Sequence, residues 1–188
     1  AQTLITYRQR PVIHNSGRIL STGAFAHKDL FLGAEAAATL RNFWFAGEYG
    51  VTFADCGTCA DNPAFSGGYV EAGVMFGGER VLKKGRFDRP NIHRPVMKGG
   101  LGAAALTFRF DSIDLVDSAV DGGALSRAIP GAEWWPAHHF KIAPNGFIAS
   151  ADLGSITAGI DPAYALAIGQ GVTEDTVNGG SVRAQFDF

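Results

Sequence analysis

Residues 79–98 hold the densest chemistry in the chain: Arg80, Lys83, Lys84, Arg86, Arg89, Arg94 and Lys98 stand there against only Glu79 and Asp88. The formal net charge of the whole 188-residue chain is −2, so the remainder is acidic on balance. A cationic cluster attracts anions, and does so more strongly where water is partly excluded. Arginine suits phosphate through its planar fork of donors, while lysine acts as a compact point charge. The plainer reading of such a run is a solvated loop, or a contact for anionic lipid heads.

Other groups give no support to catalysis. Cys56-Gly57-Thr58-Cys59 has a spacing that a redox pair, a zinc site or a small disulfide could each use. No βαβ pattern surrounds it and no further ligands lie near with suitable spacing. In an oxidising compartment the expectation is a Cys56–Cys59 disulfide that stiffens a hairpin loop. His138 and His139 are adjacent, so on a strand they point to opposite faces and cannot chelate one metal together. Gly99-Gly100-Leu101-Gly102 lacks the Lys-Ser/Thr and the helix of a phosphate loop. With no nucleophile elbow or metalloprotease pair, the chain reads as a non-enzyme with no metal or cofactor.

The elements that must position the cations read as β-strands. The last ten residues alternate, with Val182, Ala184, Phe186 and Phe188 on one face and Ser181, Arg183, Gln185 and Asp187 on the other. The same period of two recurs over 29–40, 43–54, 67–79 and 101–115, with Phe43, Phe45, Tyr49, Phe53, Val70, Leu106, Phe108 and Phe110 on the apolar sides. Residues 29–40 are alanine-rich enough to suit a helix as well, but strand is the expectation. A first strand over 3–10, a weaker one over 125–135 and one over 139–150 complete about eight. Val120 to Gly123 reads as a turn, and 151–178 as a long loop. Alternating strands joined by long polar connections are what a transmembrane β-barrel requires. No run approaches the 18 or so apolar residues of a membrane helix.

The ending Ser181-Val182-Arg183-Ala184-Gln185-Phe186-Asp187-Phe188 resembles the C-terminal strand of the phosphate- and polyphosphate-selective porins of Gram-negative outer membranes. Leu32-Gly33-Ala34-Glu35-Ala36, Ala46-Gly47-Glu48-Tyr49, Gly68-Tyr69-Val70-Glu71-Ala72-Gly73, Gly78-Glu79-Arg80, Phe87-Asp88-Arg89-Pro90 and Gly131-Ala132-Glu133-Trp134-Trp135-Pro136 follow that family in the same order. Segment 126–150 departs from it, because Pro130 and Pro144-Asn145-Gly146 sit where the family has uninterrupted strands.

The resemblance implies an all-β, antiparallel transmembrane β-barrel, of which this chain supplies the C-terminal half of sixteen strands. It also implies an outer-membrane homotrimer in a lipid bilayer, passing small anions such as phosphate or polyphosphate, with no nucleic acid involved. Residues 1–188 form one barrel domain or half-barrel. The remaining half is missing, belongs to another polypeptide, or is dispensed with in a reduced eight-stranded barrel whose bore is nearly filled. With the C-terminus periplasmic, connections 41–42, 79–100 and 136–138 fall on the periplasmic side, and the long basic one is the exception to short turns there. The expectation is that 79–100 folds into the lumen and supplies cations to a constriction, with Arg8, Arg10, Arg109 and Arg183 extending the track. Glu35, Glu48, Glu71, Asp111 and Glu133 are expected to brace the wall by pairing across strands. Trp134-Trp135 suits an interfacial aromatic girdle. The competing readings are a soluble β-barrel that binds a ligand inside and a non-conducting structural outer-membrane barrel.

Overall fold

The computed structural model describes residues 4–12, 16–57, 59, 61–117 and 120–187. Seven long strands dominate it: β3 (Lys28–Leu40), β4 (Phe43–Asp55), β5 (Ala64–Phe76), β8 (Ala103–Asp117), β9 (Val120–Ala137), β10 (Phe140–Asp152) and β11 (Glu174–Phe186). They form one antiparallel, barrel-like sheet in the order β11-β10-β9-β8-β5-β4-β3. Two small hairpins accompany it, β1 (Arg8–Gln9) with β2 (Leu20–Ser21), and β6 (Gly78–Lys83) with β7 (Arg86–Ile92). A 3-10 turn, Val96–Lys98, and one helix, α1 (Pro162–Gly169), complete the described elements.

The period of two in the sequence becomes two chemically distinct faces. Register places Phe43 against Val74, Phe45 against Ala72, Ala72 against Phe108, and Phe108 against Pro130. These residues share the outer face, where Phe45 and Phe108 are 50% exposed and Phe186 is 66% exposed. The inner face carries the buried residues instead, and they fall into two clusters. One joins Ile19, Leu20 and Leu153 to Phe65, Leu115, Leu125 and Phe147 on the sheet. The other joins Trp44, Met75, Ala103, Ala105 and Trp135 to Ile92, with Phe87 packed against it. The core therefore lies between the sheet and the segments folded onto its inner side, and the outer phenylalanines take no part in it.

The expected first strand differs from what is found. Residues from Leu4 to Arg10 do not join the sheet; Ile5 bridges Ala26, and Arg8–Gln9 pairs with Leu20–Ser21 on the inner side. Thr3 and Phe188 lie outside the described residues. The sequence from Ile5 to Tyr7 is apolar enough to pack, and Tyr7 packs its ring against Phe25 and Phe65. Residues 29–40 are strand throughout, as the alternation predicts. Val120–Gly123 belongs to β9 rather than to a turn, and β11 begins at Glu174, inside the stretch expected to be loop. Helix α1 starts where Asp161 caps it, its carboxylate accepting from the Ala163 N–H at 3.0 Å with Pro162 at the first position.

Both prolines expected to interrupt strands are accommodated. Pro130 pairs with Phe108 of β8 and Pro144 with Val182 of β11, so both ladders continue past the prolines, and the one register shift of β8–β9 lies at Asp114/Val116. Their missing N–H groups fall at the β9–β10 junction, where Asn145↔Gly131 is the one pair between Ile142↔Trp134 and Ile148↔Ala128.

Candidate functional site

The basic connection folds as the β6–β7 hairpin and turns back over the inner face. Its geometry begins with Gly77 and Gly78. Gly77 has φ of +72°, and a Cβ there would press on the Gly102 carbonyl, so the chain reverses where only glycine fits. At its base Arg80, 15% exposed, lies between the rings of Trp44 and Phe87, at 5.5 and 5.4 Å. The Arg80 guanidinium is 3.6 Å from the Glu133 carboxylate, which also accepts from Lys141 Nζ at 2.8 Å and from the Trp135 indole N–H at 3.1 Å. Lys141 in turn sits 4.8 Å from the centroid of Trp135. One carboxylate thus holds two cations that two indoles shield from water.

From that anchor the hairpin extends over β3, β4 and β5. A cavity of about 360 Å³ separates it from the wall, lined by Glu35, Tyr69 and Glu71 on one side and Leu82, Arg86 and Phe87 on the other. Lys83, Lys84 and Arg86 form the exposed tip, where Lys84 itself has φ of +52°. Beyond Tyr69 a second cavity, about 580 Å³, opens between the wall and residues 6–9, with Arg8, Glu48, Arg109, Asp111 and Arg127 on its surface. Arg109 lies over the Tyr69 ring at 3.7 Å, 3.8 Å from Glu71 and 3.2 Å from Asp111. Arg127 pairs with Asp111 and donates to the Pro11 carbonyl at 2.9 Å, tying the inner segment to β9. A third cavity, about 410 Å³, is bordered by Arg8, Arg10 and Arg18 with Thr6, Gln9 and Val12.

The expected site residues therefore part company. Lys83, Lys84 and Arg86 come together at the hairpin tip, and Arg109 stands across the second cavity. Arg183 is on the inner-facing register of β11, opposite Ala143. Arg80 is an anchor. Arg89 reaches His139 Nδ1 at 3.0 Å, in the β9–β10 turn. Arg94 and Lys98 lie in the turn after β7, where the Arg94 Nε donates to the Lys98 carbonyl at 3.4 Å. Cys56 and Cys59 are disulfide-bonded with Cα atoms 5.5 Å apart, in the connection between β4 and β5. Of the two tryptophans at the expected girdle, Trp134 is outward and 43% exposed, whereas Trp135 is inward and buried. Their adjacency on a strand forces opposite directions.

A family model described as phosphate-selective porin O and P matches residues 2–148. The chain belongs to the phosphate-selective porin O and P family. An uncharacterized protein of Caulobacter vibrioides is 32% identical over 146 residues, covering 72% of this chain and 28% of that protein. The chain thus spans less than a third of that relative. No solved structure matches it.

Within this porin chain, two arginines escaped the sequence reading. Arg127 falls in the weaker of the expected strands, and Arg18 between the strands expected over 3–10 and 29–40. The only signal for Arg127 was its cross-strand position, since β8 and β9 place Asp111 opposite it. Tyr7 shows how tightly the inner segment is held. Burial, and then the Asp29 carboxylate that accepts from its hydroxyl at 2.7 Å, raise its pKa above the ordinary tyrosine range. Burial and the neighbouring Asp175 likewise raise Tyr164 on α1.

Proposed function

We propose that this porin-family chain forms part of the wall of an outer-membrane channel for passive diffusion of small anions such as phosphate or polyphosphate. The observation that carries the reading is the division of the sheet: Phe45, Phe108 and Phe186 are half exposed or more on one face, and the cationic hairpin lies over the other. An apolar face of that breadth needs lipid, and an antiparallel sheet satisfies its backbone across strands as a membrane crossing demands. Connections 41–42, 77–102 and 138–139 are then periplasmic. Water and anions occupy the inner side, where Lys83, Lys84 and Arg86 narrow the path beside Tyr69. Arg109, Arg8, Arg10, Arg18 and Arg183 continue the positive surface. Acidic partners such as Glu71 and Asp111 keep the field from becoming a trap, because conduction needs release as well as entry. The assembly is a homotrimer in this reading.

Replacing Lys83, Lys84 and Arg86 together by glutamine tests it in a planar bilayer. Anion preference should fall several-fold, with the reversal potential under a salt gradient moving towards zero and single-channel current persisting. An unchanged reversal potential would remove the hairpin from the conduction path. A soluble ligand binder is separated by dispersion without detergent, which the exposed outer face opposes.

A further inference from the structure

The turn from His93 to Gly102 lies apart from the inner hairpin tip, and its surface is of a different kind. Met97 is 91% exposed and Leu101 89%, with Val96 beside them, and Arg94 and Lys98 are exposed on the same short segment. Residues 93–102 contain no Asp or Glu. The segment is ordered by its own hydrogen bonds: Lys98 N–H and Gly100 N–H donate to the Pro95 carbonyl, and Gly102 N–H donates to that of Arg94. What fixes its side of the wall is Trp134. That residue faces outward from β9, and its indole N–H donates to the Leu101 carbonyl at 2.9 Å. Phe76, Phe43 and the stacked pair Phe140–Phe186, 4.5 Å apart, ring the same end of the outer face.

We infer that residues 93–102 form a docking site for the phosphate headgroups of anionic phospholipid, with Met97 and Leu101 inserted among the upper acyl chains. This rests on the membrane reading above. Thirteen-residue strands rise about 43 Å along their length, or roughly 33 Å at a barrel tilt, against an apolar band of about 25 Å. The turn ends of the strands therefore emerge at headgroup depth. There an exposed Met and Leu continue the apolar face, and Arg94 and Lys98 meet phosphates while their stems stay in the apolar zone. A solvated turn would have no reason to expose two large apolar side chains almost completely.

The test uses the full chain with Met97→Cys carrying a bimane, the native disulfide intact, in bilayers mixing phosphatidylglycerol and phosphatidylcholine. A second probe at Phe108→Cys, mid-face on β8, serves as reference. Brominated lipid should quench both probes. At position 97, brominated phosphatidylglycerol should quench better than brominated phosphatidylcholine. Arg94→Gln and Lys98→Gln should each reduce that preference by about fivefold, leaving position 108 unchanged. If neither probe is quenched, the membrane reading fails and this inference with it. Quenching at 108 but not at 97 overturns the inference alone, and would mean that water or a second copy covers the turn. Equal quenching by the two lipids, or loss of the preference on adding inorganic phosphate, overturns the headgroup contact.

Discussion

Glu133 is the carboxylate on which the inner hairpin depends, because Arg80 and Lys141 both approach it and both are largely shielded from water. Removing it leaves two cations without a counter-charge, a change that costs about 3 kcal/mol or more in a buried setting. Glu133→Gln should therefore lower the thermal midpoint of the detergent-solubilised protein and loosen the hairpin, read as protease cleavage near Lys83–Arg86. Tyr7 offers a pH-dependent counterpart. Its folded-state pKa is raised above its unfolded value, so its contribution is complete below about pH 10 and is lost as pH rises beyond. Alkaline titration should release the inner segment earlier than the sheet melts, and Tyr7→Phe, costing about 1 kcal/mol or less, should abolish that step. Roles at this scale were poorly legible in the sequence. The cationic run was plain, yet charge alone does not separate an anchor such as Arg80 from a free tip residue such as Lys84. That distinction comes from Trp44, thirty-six positions away, which closes over one of them.

The elements were more legible, because alternation reports directly which side chains share a face. β4, β5 and β8 follow it, and even the alanine-rich β3 obeys its period over its helical propensity, since pairing with β4 outweighs a few tenths of a kcal/mol per residue. The start of β11 was not legible: Glu174 to Asn178 alternates only among polar residues and valine, which looks like loop until β10 is laid beside it. The segment before Arg10 misled for the opposite reason, being strand-like in composition while its partners lie inside. At the β9–β10 junction the two prolines leave few backbone bonds, so local opening should be easiest there. Amides of Ile129–Glu133 and Ala143–Phe147 that face this seam should exchange about tenfold faster than those of Leu106–Phe110, a difference of ~1.4 kcal/mol. Pro130→Val, which restores a donor, should slow them; equal rates in both variants would mean the seam is held by its side chains.

For the whole molecule the decisive property is the contrast between a sheet face of exposed large apolar side chains and one that carries the buried clusters, which the proposed membrane setting assigns to two solvents. Phe108→Arg, near the middle of the outer face, should destabilise the bilayer-inserted protein by about 2–4 kcal/mol, while Ala37→Arg on the inner register of β3 should cost close to nothing; chemical denaturation in lipid vesicles measures both. Seven is also an odd number, and this has a geometric consequence. In a sheet whose neighbours all run antiparallel, the first and seventh strands point the same way, so β3 and β11 cannot meet edge to edge without a parallel seam. Two identical copies inserted in the same direction fare no better, because each would present β3 to the other's β11 with that same heading. Continuous antiparallel closure calls for an odd count of strands from a different stretch of polypeptide, threaded between those two edges.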